Sequence, residues 1–316
     1  MKIKRFNKKI IISLLITLTL SYFLLRQTDY KNIFLLFEKI NYGYVIISFI
    51  FYFLLTLIRA LRIKLLLHNR INIKGLFATV LINNLIINIL PFRIGELSLP
   101  ILLKKYSKVP KKEGFLLLLY LRAIDALVIL FFLFFVILFF SSNIIQLKSI
   151  SYIFIFALLL FIFTLLFKGD TILSNIKNFS SKKGNSRIFN KIFKYTDSLL
   201  PVYKFYRNKT KKTLALSILI FITLIFAFGF ILKAYPIDLN YIDVITISLI
   251  IIVTTSLPIN GIAGIGILEL GISSFLVSLG IDKSLSIGIA FNYHFIYLIF
   301  IIFFGNLSFF YLHNKE

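Results

Sequence analysis

The chain has 316 residues, 59% of them hydrophobic, with no cysteine, three histidines and a formal net charge of +24. Its mean hydropathy is +0.95, whereas a soluble domain is only about half apolar. Disulfide and thiolate chemistry are excluded, and three scattered histidines without cysteine argue against a zinc site. The positive charge lies between apolar blocks, so it points to bilayer orientation and anionic headgroups rather than to nucleic acid.

The first apolar block, Ile10–Leu25, follows Lys2, Lys4, Arg5, Lys8 and Lys9 but leads into no small-residue cleavage site, so it reads as a retained first helix. Further blocks long enough to cross a bilayer lie at Tyr44–Leu61, Phe115–Phe140, Tyr152–Phe167, Thr213–Leu232 and Leu285–Leu312, with a shorter one at Val244–Leu257. The basic N-terminus and Arg59, Arg62, Lys64 and Arg70 set the cytoplasmic side, and the pattern predicts both termini in the cytoplasm. A full crossing over residues 75–91 would put Lys104, Lys105, Lys108, Lys111 and Lys112 outside. A re-entrant hairpin avoids this. Gly75–Leu90 enters, Pro91-Phe92-Arg93-Ile94-Gly95 turns within the membrane, and Glu96–Leu103 returns. Pro91 removes an N–H and Gly95 permits unusual dihedrals, so the helix breaks there, and broken backbone at membrane depth must line protein or a water-filled cavity.

Residues 168–212 read as a strongly basic cytoplasmic loop. Within it Ile188, Phe189, Ile192, Phe193, Leu199, Leu200, Tyr203 and Tyr206 recur at helical spacing, the pattern of an amphipathic helix lying on headgroups. The segment 244–280 is broken at Leu257-Pro258-Ile259-Asn260-Gly261-Ile262-Ala263-Gly264-Ile265-Gly266. It is two crossings or a second hairpin; the absence of Lys and Arg from its turn favours the hairpin. The two breaks echo each other: Leu90-Pro91 precedes Glu96 and Leu257-Pro258 precedes Glu269, with Arg122 and His294 following at similar intervals. Either low-complexity apolar sequence matches itself by chance, or the halves form an inverted repeat, which in transporters places the substrate where broken helices meet. The expected fold is all-α, a polytopic transmembrane bundle with two broken hairpins, forming one integral membrane domain over residues 1–316.

Ionisable groups at membrane depth cost about 2.5–3.5 kcal/mol each on insertion scales, so they are paired or functional. Arg122 and Asp125 share a helix face at i, i+3 and pair as a staple or contact substrate. Arg93 either neutralises Glu96 or offers its planar fork to a phosphate. Glu269 has no cation near it in sequence; it meets an arginine of the other half or is protonated, a state that suits proton coupling. His294 is a hydrogen-bonded interior histidine or a switch. Arg59 and Arg62 snorkel to headgroups or support the site. Asn84, Asn88 and Asn260 add amides near the turns, which Pro91, Gly95, Pro258, Gly261 and Gly264 break.

These residues resemble the membrane region of lysylphosphatidylglycerol synthases, a flippase-like family. The resemblance rests on Ala60–Leu66, on Leu90-Pro91-Phe92-Arg93-Ile94-Gly95-Glu96, on Leu121-Arg122-Ala123-Ile124-Asp125, and on Leu257-Pro258 with Gly261, Gly264, Gly266 and Glu269. The chain departs from the family pattern at Leu99-Pro100, at Ile259-Asn260 and at His294. The resemblance implies a lipid translocase that moves a phospholipid or polyprenyl-linked anionic lipid between leaflets of a prokaryotic plasma membrane, with membrane lipids as partners and no cofactor. The chain ends at Glu316 soon after its last apolar span, so no soluble aminoacyl-transferase domain is expected and the protein is read as no enzyme. A membrane-embedded transferase using Glu96 or Asp125 as base, and a small-solute or ion transporter, are the competing readings.

Overall fold

The structure is a computed structural model that describes residues 19, 22, 24, 26, 30–67, 71–140, 149–182, 187–256 and 262–314. The first predicted span, the 141–148 connection, and Pro258, Asn260 and Gly261 lie outside the described residues or mostly so. The described residues are mostly helical, with no strand among them. In order, α1 is Tyr30–Lys39, α2 Tyr42–Leu66, α3 Ile73–Ile89, α4 Ser98–Ser107, α5 Lys111–Phe140, α6 Ser149–Lys182, α7 Arg187–Asn208, α8 Thr210–Lys233, α9 Tyr241–Ser256, α10 Ile267–Ser278 and α11 Lys283–His313. Two 3-10 segments, Pro91–Leu97 and Ile262–Gly264, join α3 to α4 and precede α10.

Among the described residues four helices are long and apolar enough to cross a bilayer, Tyr42–Leu66, Lys111–Phe134, Thr210–Lys233 and Lys283–His313, and the pair Ile155–Thr164 with Leu166–Ser181, bent by 58°, makes a fifth when counted as one span. By contrast α10 has 12 residues, a rise of about 18 Å against a hydrocarbon core of about 30 Å. The chain is a polytopic helical bundle, and its contacts divide into two compact units.

The first unit comprises residues up to Leu57, Phe77–Ser98 and Ile222 onward. Its long helix is α11, started by Asp282, whose side chain accepts from the Leu285 N–H at 2.9 Å. Association of helices in lipid depends on close van der Waals packing, and α11 supplies it on several sides. Phe300 and Phe304 meet Phe49 of α2, the second pair stacked with centroids 4.7 Å apart. Phe295 meets Phe37 of α1 edge-on, and Gly305 abuts Leu85 of α3. The amphipathic α1 was not anticipated from the sequence.

Two turns lie in this unit. In the first, a β-carbon at Gly95 would stand 2.5 Å from the Ile86 carbonyl oxygen, and Asn83 donates to Ser98 Oγ at 3.1 Å. The chain after Pro91 therefore doubles back along the end of α3. In the second, a β-carbon at Gly271 of α10 would meet Thr254 and Ile250 of α9 at 2.9 and 3.0 Å, so α10 returns along α9.

The second unit comprises Ile58–Leu76 and Leu99–Phe221. Here α6 and α7 form a hairpin. The Tyr203 hydroxyl donates to the Leu166 carbonyl at 3.1 Å, Arg207 pairs with Asp170, and Lys177 pairs with Asp197 at 2.6 Å. Tyr120 of α5 donates to the Tyr206 carbonyl at 3.0 Å and bonds Thr210 Oγ1 at 2.7 Å. Burial, and then the neighbouring Tyr120, push the Tyr203 hydroxyl up to about 12. The basic segment is thus helical through most of its length. Tyr203 and Tyr206, expected on the lipid-facing edge of an interfacial helix, are buried in protein instead, because α6 continues past its bend and offers α7 a packing partner.

Candidate functional site

The first turn begins where α3 can no longer continue. Leu90 is extended and Pro91 opens the 3-10 segment without an N–H to give. Arg93 sits in the left-handed region at φ 53°, a conformation that costs a non-glycine residue on the order of 1 kcal/mol and persists where its surroundings hold it. They do so here. Arg93 Nε donates to the Thr255 carbonyl at 2.8 Å, and Nη1 donates to Glu96 Oε1 at 2.8 Å. Thr255 lies in the last turn of α9, where carbonyls have no partner within the helix and the dipole is negative.

The second turn has the opposite polarity. Ala263, Gly264 and Gly266 have φ of 56°, 77° and 106°, and the helix that follows starts with free amides. Glu269 fills that end: its Oε2 accepts the Gly266 N–H at 2.7 Å, closing the N-terminus of α10 with a negative charge. Its Oε1 bonds His294 Nδ1 of α11 at 2.6 Å. Glu269 is 1% exposed and His294 4%. The two 3-10 segments lie against one another, so a cation caps the carbonyl end of one broken hairpin beside an acid capping the amide end of the same hairpin's second helix. Nearby on α11, the Tyr235 hydroxyl donates to Asn292 Oδ1 at 2.8 Å.

The second unit holds a separate charged group. Arg62 of α2 is 5% exposed and grips Asp125 of α5 with both terminal nitrogens, Nη2 lying 3.2 Å from Oδ2. The same Nη1 donates to Ser217 Oγ of α8 at 2.6 Å. Arg59 and Arg122 stand within electrostatic range of the Asp125 carboxylate. Among the described residues no group of three or more His, Cys, Asp or Glu is placed to hold a metal ion.

The profile of the family described as the lysylphosphatidylglycerol synthase TM region matches residues 10–305. The chain belongs to this family. It is an integral membrane protein, tied by its family to lipid handling. No curated protein and no solved structure matches it.

In this family member the residues singled out from sequence fall into the two groups just described. Arg93, Glu96, Glu269 and His294 gather about the turns of the first unit, with Asn84 buried on α3, its carbonyl accepting from Asn88 at 2.8 Å. Arg59, Arg62, Arg122 and Asp125 gather in the second. Arg62 does not snorkel: an ion pair with Asp125 holds it inside the protein. The i, i+3 spacing marked Arg122 as able to pair with Asp125; Arg62, from another helix, bonds both carboxylate oxygens, with Arg122 in electrostatic range of them. Glu269 meets His294 rather than an arginine. Thr255 and Ser217 were missed, Ser217 because it carries no sequence signal among apolar neighbours; Gly266 was named only as part of the second break, although its place three residues before Glu269 fits a capping pattern.

Proposed function

We propose that this protein is a lipid translocase, carrying a phospholipid or polyprenyl-linked lipid with an anionic headgroup between leaflets. The observation that supports this most is the meeting of two broken hairpins at their turns, marked by the bond from Arg93 to Thr255. A headgroup crossing a bilayer needs polar groups at depth, and broken helices supply them where protein covers the backbone. The shortness of α10 suits a re-entrant element, and the exposed apolar helix faces, such as Ile46, Ile50 and Phe53 on α2, suit contact with acyl chains. The carboxylates Glu96, Asp125 and Glu269 each hold a basic partner, so charge can be exchanged with a headgroup without leaving a bare acid in the bundle. The sequence has no phosphate-binding Gly-rich loop of the ATPase kind, so movement runs downhill or is coupled to an ion or to the membrane potential. Both termini and the basic segment 168–212 face the cytoplasm in this reading.

The test is reconstitution into liposomes carrying a fluorescent anionic phospholipid, with dithionite quenching of the outer leaflet. Protein-dependent loss of the protected half of the signal is expected. Retention of that half at full protein incorporation, across several headgroups, would remove the translocase reading.

A further inference from the structure

We propose that α11 is a dimerisation helix: two copies of this chain meet along its exposed face, with Asn306 of one against Asn306 of the other. In a membrane protein an exposed apolar face says nothing by itself, because acyl chains cover it as well as protein does. An amide on such a face is different. It has donors and an acceptor to satisfy, and lipid offers no partner.

Asn306 is exposed on α11 and, among the described residues, has no hydrogen-bond partner. Three other asparagines of the apolar helices differ. Asn83 donates to Ser98 Oγ, Asn88 donates to the Asn84 carbonyl, and Asn292 accepts from Tyr235. Asn306 also lies inside the hydrocarbon. The apolar run Leu285–Leu312 is centred near Ile299, and Asn306 is about 11 Å along the helix from there, against a half-thickness of about 15 Å. Its side chain is too short to snorkel to the headgroups as a lysine does. Nor does it stand at the edge of the protein's own contact. Ile301, Gly305, Ser308 and Leu312 are the buried side of this stretch, while Asn306 has exposed Ile302 and Phe310 one turn before and after it.

The spacing of the exposed face points to what covers it. Ile299, Ile302, Asn306, Phe309 and His313 are all exposed. They fall at alternating intervals of three and four, the period of about 3.5 residues with which one helix packs along another. Two copies inserted with the same topology carry α11 in the same direction. A two-fold axis along the membrane normal then sets each seam residue against its own copy, at the same depth. Asparagine suits that place, because an amide is donor and acceptor at once and pairs with a second amide. A single asparagine in such a seam also fixes its register. The first apolar run, Ile10–Leu25, contains no asparagine and offers only hydroxyl side chains, which bond readily to carbonyls of their own helix. The pairing does not rest on the translocase reading.

The test uses the full chain, which has no cysteine of its own, labelled at Lys108→Cys in liposomes of phosphatidylcholine and phosphatidylglycerol. Stepwise photobleaching over a series of protein-to-lipid ratios gives the dimer fraction, and paired bleaching steps are expected to dominate at high ratio. Asn306→Leu keeps the seam apolar; it should raise the dissociation constant about tenfold while leaving the melting temperature unchanged. In cell membranes, oxidation should link Phe309→Cys chains in pairs but not Phe53→Cys chains, whose cysteine lies on an exposed position of α2. Single steps at every ratio, or dimers that Asn306→Leu leaves intact, would overturn the proposal. So would a link within one chain between Phe309→Cys and Ser13→Cys, which would put the first apolar run in the second copy's place.

Discussion

Arg93 and Thr255 are 162 residues apart in the chain, yet the guanidinium Nε of one donates to the carbonyl of the other at 2.8 Å. The bond joins the two broken hairpins, and the same side chain holds Glu96. In the translocase reading, a phosphate arriving at Arg93 would compete with two acceptors already in place, and exchange of one for another is the chemistry such a path requires.

The first prediction concerns that double duty. Arg93→Ala should destabilise the protein by about 2–3 kcal/mol, less than the about 3–5 of a fully buried broken pair because both side chains are partly exposed. Adding Glu96→Ala should restore the charge component but leave the Thr255 carbonyl without its donor, a residual loss of about 1 kcal/mol. Thermal melts in nanodiscs check this, and full recovery in the double variant would mean that the Thr255 bond contributes nothing.

Ala263 provides a second prediction through its backbone alone. At φ 56° its β-carbon is strained, so Ala263→Gly should raise stability by about 1 kcal/mol and Ala263→Val should lower it by a similar amount or more. Equal melting temperatures for the three proteins would show that the turn relaxes around whatever residue is there.

Gly95 is governed by space. A methyl group there meets the Ile86 backbone oxygen at 2.5 Å, and a backbone carbonyl cannot rotate away as a side chain does. Gly95→Ala should cost about 1–3 kcal/mol, the usual range of overpacking, and should slow lipid translocation even where the protein inserts normally. Quench assays at matched incorporation measure it.

In the second unit, Asp125→Ala should be more damaging than Arg62→Ala. The aspartate variant leaves the guanidinium of Arg62, whose side chain is 6% exposed, without its carboxylate and beside Arg59 and Arg122, whereas in the arginine variant those two arginines still face Asp125. The single losses should be about 2–4 kcal/mol, and the double variant should be more stable than Asp125→Ala. A double-mutant cycle on chemical denaturation decides it.

Orientation is tested by chemistry the native chain lacks. Lys108→Cys, the only cysteine present, should react with a membrane-impermeant maleimide from the cytoplasmic side alone. Labelling from outside would reverse the assigned topology and the first re-entrant hairpin with it.

Four of the predicted spans and both breaks were legible because they depend on local composition: apolar runs of sufficient length, and Pro91 or Pro258 followed by glycine. Side-chain partners were less so. Asp125 has an arginine three residues before it, and only the fold brings another, 63 residues away, onto the same carboxylate. The interval from Glu269 to His294 was visible as a spacing, but nothing in a spacing says that the two ends touch. The return of α7 onto α6 was hidden for a different reason. An amphipathic helix shows that it has an apolar edge without showing whether lipid or protein covers it.

The length of α6 has a practical consequence. Its 34 residues bend by 58° between Thr164 and Leu166, and the part beyond the bend is braced against α7 by Tyr203 and two ion pairs. An antibody-binding tag inserted between those two helices would ride on that brace and give electron-microscope images a feature to align on, without touching either charged group.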